Sequence, residues 1–545
     1  VSEITLFPAK KIITMDRNRP EATHVAVRDG LVLAVGGPDC ADGWGVPRTD
    51  DRFASKVMLP GLVEAHAHAS AGGIWRHIYC GHYARTDPHG NVWPGVGSSE
   101  ALIERLAAIE AETDGDGTPL VGWGFDPNFI TGRRLDKAHL DHVSGRRLVV
   151  VMHSNFHLLT ANSVALEKVG MGCGGNIQGI VFGADGLPNG ESQEFAAMGP
   201  VMQTAGVEFS DLTNSAESVR AYGEVARLCG VTTVADLLSD LHEGEVDMLL
   251  NVTGDARFPV RYVPIMNAMV GKPEDEARRA VALRKRSTDK LRLGHAKLFT
   301  DGAIQGFTAM LKPPGYFTGE DHGMWNMTPE HFREAMIALH RHGVTTHIHT
   351  SGDAASEFAT DVIEEATRMH PGADHRHSLE HVQLADRAQF RRMRNLGICV
   401  NVFANHLYYF GDVHWARTLG PDRASRMDAC ADALEIFGGD FGIHSDAPVT
   451  PMAPLFTAWC AVNRLTEKRR LLGEAQRIPV ADALRCITLG AAYVLKMDGE
   501  IGSIQTGKRA DFCLLDDDPL AVPPEALKDI PVAGTVLGGL PTGDA

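Results

Sequence analysis

The sequence predicts an α/β chain whose body is a (β/α)8 TIM barrel, and three observations lead there. A unit of amphipathic helix, glycine and short β-branched strand recurs through the middle of the chain. Eight strand segments can be counted, and polar residues gather at the ends of several of them. Residues 227–234, 341–347 and 395–402 are three copies of the unit, with Gly230, Gly343 and Gly397 between helix and strand. A glycine there supplies the left-handed residue that stops a helix, and the chain then returns as a strand. Eight strands in βα alternation with polar strand ends describe a barrel that carries its active site on the C-terminal face of the strands. On pattern alone a doubly wound parallel sheet stays open.

The elements follow in order. At the start, alternating strands flank Asp29-Gly30, a hairpin signal, and residues 510–515 and 532–536 have the same texture near the end. Residues 1–57 and 498–545 are therefore expected to form one β-sandwich domain, and residues 58–497 the barrel. The first barrel strand is the apolar run that ends in His66. Residues 70–210 break the βα rhythm with glycine-rich and aromatic pieces such as Val121-Gly122-Trp123-Gly124-Phe125-Asp126, and are expected to be an insertion covering the active site. Further strands are expected at 261–266, 291–299, 377–382 and 441–446. The helix before Gly343 has a clear start, with Thr328 as N-cap and Pro329 in the first turn. Its apolar Phe332, Ala335, Met336 and Leu339 fall at i, i+3, i+4 and i+7, one face of a helix.

Composition narrows the function classes. With 44% hydrophobic and 22% charged residues, the 545-residue chain reads as globular and long enough for a large core. A formal charge of −17 argues against nucleic acid or an anionic membrane as partner, because basic patches drive both associations. Nine cysteines, an odd count without a CxxC pair, read as reduced thiols and not as a disulfide framework. No apolar run reaches the ~20 residues of a membrane span, and the first residues lack a signal-peptide pattern. The expectation is a cytoplasmic enzyme with a small-molecule substrate; a homo-oligomer is compatible with the sequence.

His66-Ala67-His68 carries the first chemistry. In an extended strand residues i and i+2 share a face about 7 Å apart, so two imidazoles at a strand end can close on one metal ion. The competing reading is two polar residues in a loop. Later strand ends add more ligand types: Lys297 in Lys297-Leu298-Phe299-Thr300-Asp301-Gly302, His349 in His349-Thr350-Ser351-Gly352-Asp353, His381 in Leu379-Glu380-His381-Val382-Gln383, and Asp446 in Ser445-Asp446-Ala447-Pro448.

In this order the motifs resemble the amidohydrolase superfamily, and most closely its amidohydrolase family 3 branch, which includes N-substituted formamide deformylases. The similarity runs over nearly the whole chain, including residues 157–166 and 502–512. The resemblance implies metal binding by His66, His68, His349 and His381, closed by Asp446, with Lys297 bridging two ions as a carbamate. It implies one or two divalent ions, with zinc first among them, since imidazole and carboxylate suit that metal. The implied reaction is hydrolysis of an amide, formamide or carbamate C–N bond by a metal-activated hydroxide, with Asp446 as general base and then general acid.

Several positions have a plainer reading. His347 shares a face with His349, and the Gly352-Asp353 match is what favours His349. His377 falls a full turn deeper along the strand than His381 or at its solvated start, which favours His381. Lys297 could extend its amine to water or pair with an acid, and Asp446 could be a helix N-cap before Pro448. Glu64 stands where an aspartate often precedes the histidine pair, and His444 where a small residue is common. His444 shares a face with Asp446, so it reads either as a core histidine or as a polar group beneath the metals. The aromatic residues Trp75, Trp93, Trp123, Phe125, Trp325, Tyr408, Tyr409 and Trp415 suggest an apolar substituent beside the scissile bond. Trp123, Asp126, His157 and His444 are the candidate substrate contacts. Two other functions stay open: a deaminase or cyclic-amide hydrolase on the same scaffold, and a non-catalytic binding or regulatory barrel. Against the first, the run after His349 offers Gly352-Asp353 where superfamily deaminases usually place a glutamate base; against the second, every expected ligand is present.

Overall fold

The computed structural model describes residues 3–543 except 114–116, 131–132, 155, 157, 172–178, 208–211 and 320–322. It divides into two compact units, one of residues 1–68 with 226–545 and one of residues 69–225.

In the first unit eight strands pair side by side in chain order, all parallel. They are β1 (Leu62–Glu64), β2 (Val231–Ser239), β3 (Arg261–Asn267), β4 (Ala296–Phe299), β5 (Thr346–Thr350), β6 (Ser378–His381), β7 (Cys399–Val402) and β8 (Gly442–Ile443). The two edges meet just past the strand ends, where the Asp446 N–H donates to the His66 carbonyl at 3.1 Å and the His68 N–H to the Ala447 carbonyl at 2.8 Å. Parallel strands joined through helices and closed in this way make an α/β barrel of the TIM type. Alternation sorts the side chains. Val63, Ala65, Ala235, Leu237, Val263 and Ile265 pack outward against Ala491, Ala492 and Val494 of the helix Leu489–Val494. The residues between them, Glu64, His66 and Asp236 among them, are left for the interior.

The repeat unit folds as expected: Gly230, Gly343 and Gly397 have φ of 80°, 65° and 74°. The helix Pro329–Arg341 starts at Thr328, whose hydroxyl accepts from the His331 N–H, and buries Phe332, Ala335, Met336 and Leu339. Two strands are shorter than expected. Gly294 at φ 102° keeps residues 291–295 out of β4, and Asp446 at φ 53° turns the chain away soon after β8.

Strands from both chain ends pair in one sheet, in the order Leu540–Thr542, Val532–Leu537, Phe512–Leu515, Val57–Pro60, Thr5–Ile13, Glu21–Arg28, Leu31–Gly36. Phe7, Ile12, Val25, Met58, Phe512 and Leu514 form its buried core. The apolar run before His66 is thus two strands. Val57–Pro60 belongs to this sheet and β1 to the barrel, with Gly61 between them; a Cβ at Gly61 would lie 1.9 Å from Thr232 Oγ1. No helix among the described residues is long and apolar enough to cross a membrane.

Residues 69–225 hold a six-stranded sheet in the order Ile180–Phe182, Pro188–Gln193, Leu158–Ala161, Val149–His153, Leu120–Phe125, Ile78–Tyr79. Both faces are covered, so Leu120–Phe125 is buried throughout. Val121, Trp123, Val150 and Met152 enter one core and Leu120, Phe125, Val149 and Val151 the other. Trp123 is 2% exposed and meets the Trp75 and Tyr79 rings at 5.1 and 4.8 Å. Because truncation would leave a void with no room to collapse, Trp123→Ala is expected to destabilise this unit by about 3–5 kcal/mol. Urea denaturation followed by tryptophan fluorescence measures the loss, and a change within experimental error would show that the indole packs loosely.

Candidate metal centre

Glu64, His66 and His68 leave the end of β1 with i, i+2 spacing, and the expected pair of imidazoles faces Asp446 from the other side of the barrel closure. His66 Nε2 lies 3.4 Å and His68 Nε2 3.3 Å from the same oxygen, Asp446 Oδ1. The two rings are set at 85° to each other. Their planes therefore intersect, as the planes of two imidazoles must if both lone pairs are to point at one ion. The ligand atoms of His66, His68 and Asp446 all lie within 4.8 Å of one another, and so do those of His66, His381 and His444. The second trio is a poorer cage, because His444 stacks on His66 at 4.4 Å and 17°, nearly parallel. Parallel rings cannot both aim in-plane lone pairs at one nearby point.

Burial opposes a charge on Asp446, but the facing imidazoles of His66 and His68 hold its carboxyl well below the usual range. It stands as an anion facing imidazole nitrogens. Its backbone is left-handed, as is that of His381 at φ 71° and Val382 at φ 41°. Such strain in non-glycine residues is kept where the surroundings hold it, and it clusters at functional sites.

His381 Nε2 lies 2.9 Å from His349 Nδ1, and the His381 ring is 4.6 Å from that of His66. His349 Nε2 donates to the Gly302 carbonyl at 3.0 Å, which leaves Nδ1 as its lone-pair nitrogen. Burial drives the pKa of His349 down to about 3, so the ring is neutral, the form a metal requires. His347 is committed elsewhere: Nδ1 contacts Glu380 Oε1 at 2.8 Å and Nε2 contacts His295 Nδ1 at 3.1 Å. His377 is likewise taken up by His340, at 2.8 Å.

Lys297, on β4, is fully buried and its Nζ has no hydrogen-bond partner among the described residues. Burial lowers its pKa to about 8 against the opposing charges of Glu380 and Asp446. An amine in that position neither reaches solvent nor forms a hydrogen-bonded ion pair among the described residues, and its Nζ lies 4.9 Å from the centre of the Phe299 ring.

Three buried acids that motif reading passed over complete the setting. Glu380 joins His66 to His347. Asp301 accepts backbone N–H groups from Ser351, Gly352 and Met310 at 3.0, 2.8 and 2.9 Å, tying the loop after β5 to the loop after β4. Asp236, within β2, accepts from Tyr262 and Ser239 at 2.8 Å and lies 3.9 Å from His68 Nδ1. Glu64 takes the Ser445 hydroxyl at 2.6 Å, across the barrel closure, and burial raises its pKa to about 7. Glu380 and Asp301 lie inside quoted motifs, but nothing local marks them as interior.

Of the candidate substrate contacts, His444 is buried between the His66 and Phe403 rings, and neither ring nitrogen has a hydrogen-bond partner among the described residues. Asp126 is buried in the 69–225 unit and accepts from Asn128 N–H and Ser154 Oγ at 2.8 and 2.9 Å. Trp123 is enclosed in that unit's core. His157 lies outside the described residues.

Known proteins resemble this chain over nearly its whole length. The chain is 26% identical to Protein LONG AFTER FAR-RED 3 of Arabidopsis thaliana, over 97% of the chain and 89% of that protein. It is 24% identical to N-substituted formamide deformylase of Arthrobacter pascens, over 97% and 96%. In structure it resembles an uncharacterized metal-dependent hydrolase from Pyrococcus horikoshii OT3, with a TM-score of 0.74 and 21% identity over 96% of this chain and 99% of the other. The profile of the amidohydrolase family matches residues 54–542. The chain belongs to the amidohydrolase family, hydrolases of carbon–nitrogen bonds.

Proposed function

We propose that this protein is a metal-dependent hydrolase of a linear amide, formamide or carbamate C–N bond, producing a carboxylic acid and an amine. The observation that carries it is the meeting of His66, His68 and Asp446, two neutral-type ligands and a carboxylate converging at right-angled rings in a buried setting. The donor set fits a divalent ion such as zinc, whose first ligands are imidazole nitrogen and carboxylate oxygen. In this reading His349 and His381 complete the ligands. Lys297 joins them after its neutral Nζ forms an N–C bond to CO2 and releases a proton, which turns an unpartnered amine into a carbamate with two ligand oxygens.

When bound, the ion acidifies a water near neutral pH and polarises the scissile carbonyl. The chain's own residues do the rest. Asp446, held ionised by its histidines, accepts the proton of the attacking water at its carboxylate and then delivers it to the leaving nitrogen as the C–N bond breaks. The hydrogen bond from Asp446 N–H to the His66 carbonyl fixes that carboxylate across the barrel closure, which limits the reorganisation needed during the transfer.

A substrate panel tests the proposal. Purified, metal-assayed protein should hydrolyse members of a set of N-substituted formamides, N-acyl amino acids and N-aryl amides, and release acid and amine in equal amounts. Ammonia released from aminated heterocycles, or ring opening of lactams alone, would assign the site to deamination or cyclic-amide hydrolysis instead.

A further inference from the structure

Resting on the metal-centre reading above, we propose that Glu380 is a positioning residue that sets the tautomer of His66 and so presents its Nε2 to the metal. Glu380 Oε2 contacts His66 Nδ1 at 2.8 Å and accepts from Asn401 Nδ2, also at 2.8 Å. Glu380 Oε1 contacts His347 Nδ1 at 2.8 Å. The carboxylate is fully buried, and none of its three partners is water-exposed. A carboxylate can only accept, so both Nδ1 atoms must carry protons. In the neutral imidazole that a metal requires, His66 Nε2 is then the lone-pair nitrogen, on the side of the ring that faces Asp446 and His68. His347 Nε2 is a lone pair as well, and it accepts from His295 Nδ1–H at 3.1 Å.

The backbone explains how an acid and a ligand can stand next to each other in sequence and both point inward. In a regular strand Glu380 and His381 would face opposite sides of the sheet. The left-handed φ of 71° at His381 breaks the alternation, so that Glu380 reaches His66 and His347 while His381 reaches His349. A carboxylate on the far nitrogen of a metal-bound imidazole orients the ring and raises its basicity, and its loss typically weakens metal binding about 10- to 100-fold.

The experiment uses the full chain. Zinc affinity of apo protein is measured by competition with a chromogenic chelator, and histidine tautomers by long-range 15N NMR, for the wild type, E380A and E380Q. Folded E380A is expected to bind zinc about 10- to 100-fold more weakly, with His66 no longer confined to the Nδ1–H form. In E380Q the amide oxygen must take the side where two donors, His66 and Asn401, converge, leaving the amide N–H2 to face His347. His66 should keep its Nδ1–H, while His347 should switch to Nε2–H. Wild-type zinc affinity in folded E380A, a His66 without a proton on Nδ1 in wild-type apo protein, or an unchanged His347 in folded E380Q would each overturn the proposal. The metal-centre reading fails in a different way, through a wild-type chain that binds no zinc or a His68→Ala variant with unchanged affinity, and the tautomer results would survive that failure.

Discussion

Asp446→Asn is expected to lower turnover by about 10²–10⁴-fold, the usual worth of a positioned general acid or base. Asparagine keeps the size of the side chain and one ligand oxygen, but its amide cannot hold the proton of the attacking water near neutral pH. The fold should survive, because the segment around residue 446 is anchored by backbone bonds to His66 and from His68 that the substitution leaves in place. Metal and substrate should still bind, so the loss should appear in kcat with KM little changed. Steady-state kinetics on protein of verified metal content measures this. Near-normal turnover in metal-loaded Asp446→Asn would send the proton elsewhere, and the unpartnered nitrogens of His444 would be the first groups to test.

Removing the metal with a chelator is expected to abolish turnover, with recovery on adding zinc, manganese or cobalt, and Lys297→Met separates the two states of that lysine. If Lys297 carries a carbamate, the methionine removes a ligand of both ions: metal content should fall from two ions to one, and a short carboxylic acid should restore part of the loss. If the amine is unmodified, the same change replaces a buried, unpartnered cation with an apolar side chain of similar length, and should leave metal content unchanged while raising stability. Metal analysis and thermal unfolding of the two proteins therefore give opposite patterns. Loss of metal is the expected outcome, and a more stable Lys297→Met with full metal content would overturn the carbamate.

Much of this could be read in advance because it is local. The spacing of His66 and His68 follows from the period of a strand, the stop at Gly343 from the left-handed residue after a helix, and the pairing of the chain ends from their turn and strand residues. Where the reading fell short, the missing fact was not local. A break at Gly61 divides what looks like one apolar strand, because the chain there passes against Thr232, 171 positions away in sequence by their numbers. Trp123 looks like a substrate contact in a glycine-rich stretch, and the Trp75 and Tyr79 rings, edge-on and tilted against it, enclose it.

The sequence by itself determined the family, the βα rhythm and the identities of the metal-type side chains, since residue type and short-range spacing carry all three. Only the tertiary structure decided which histidine does what. His347 and His349 share a face, yet one is held by Glu380 and the other stands against His381. His444 has a ring nitrogen within 4.8 Å of those of His66 and His381, but it stacks nearly parallel to His66. Glu380 and His381 can both face the interior because His381 adopts a left-handed backbone, and Glu380 meets His66 across 314 positions of sequence. Ring orientation and the destination of a hydrogen bond depend on neighbours brought together by barrel closure, and no window of sequence contains them.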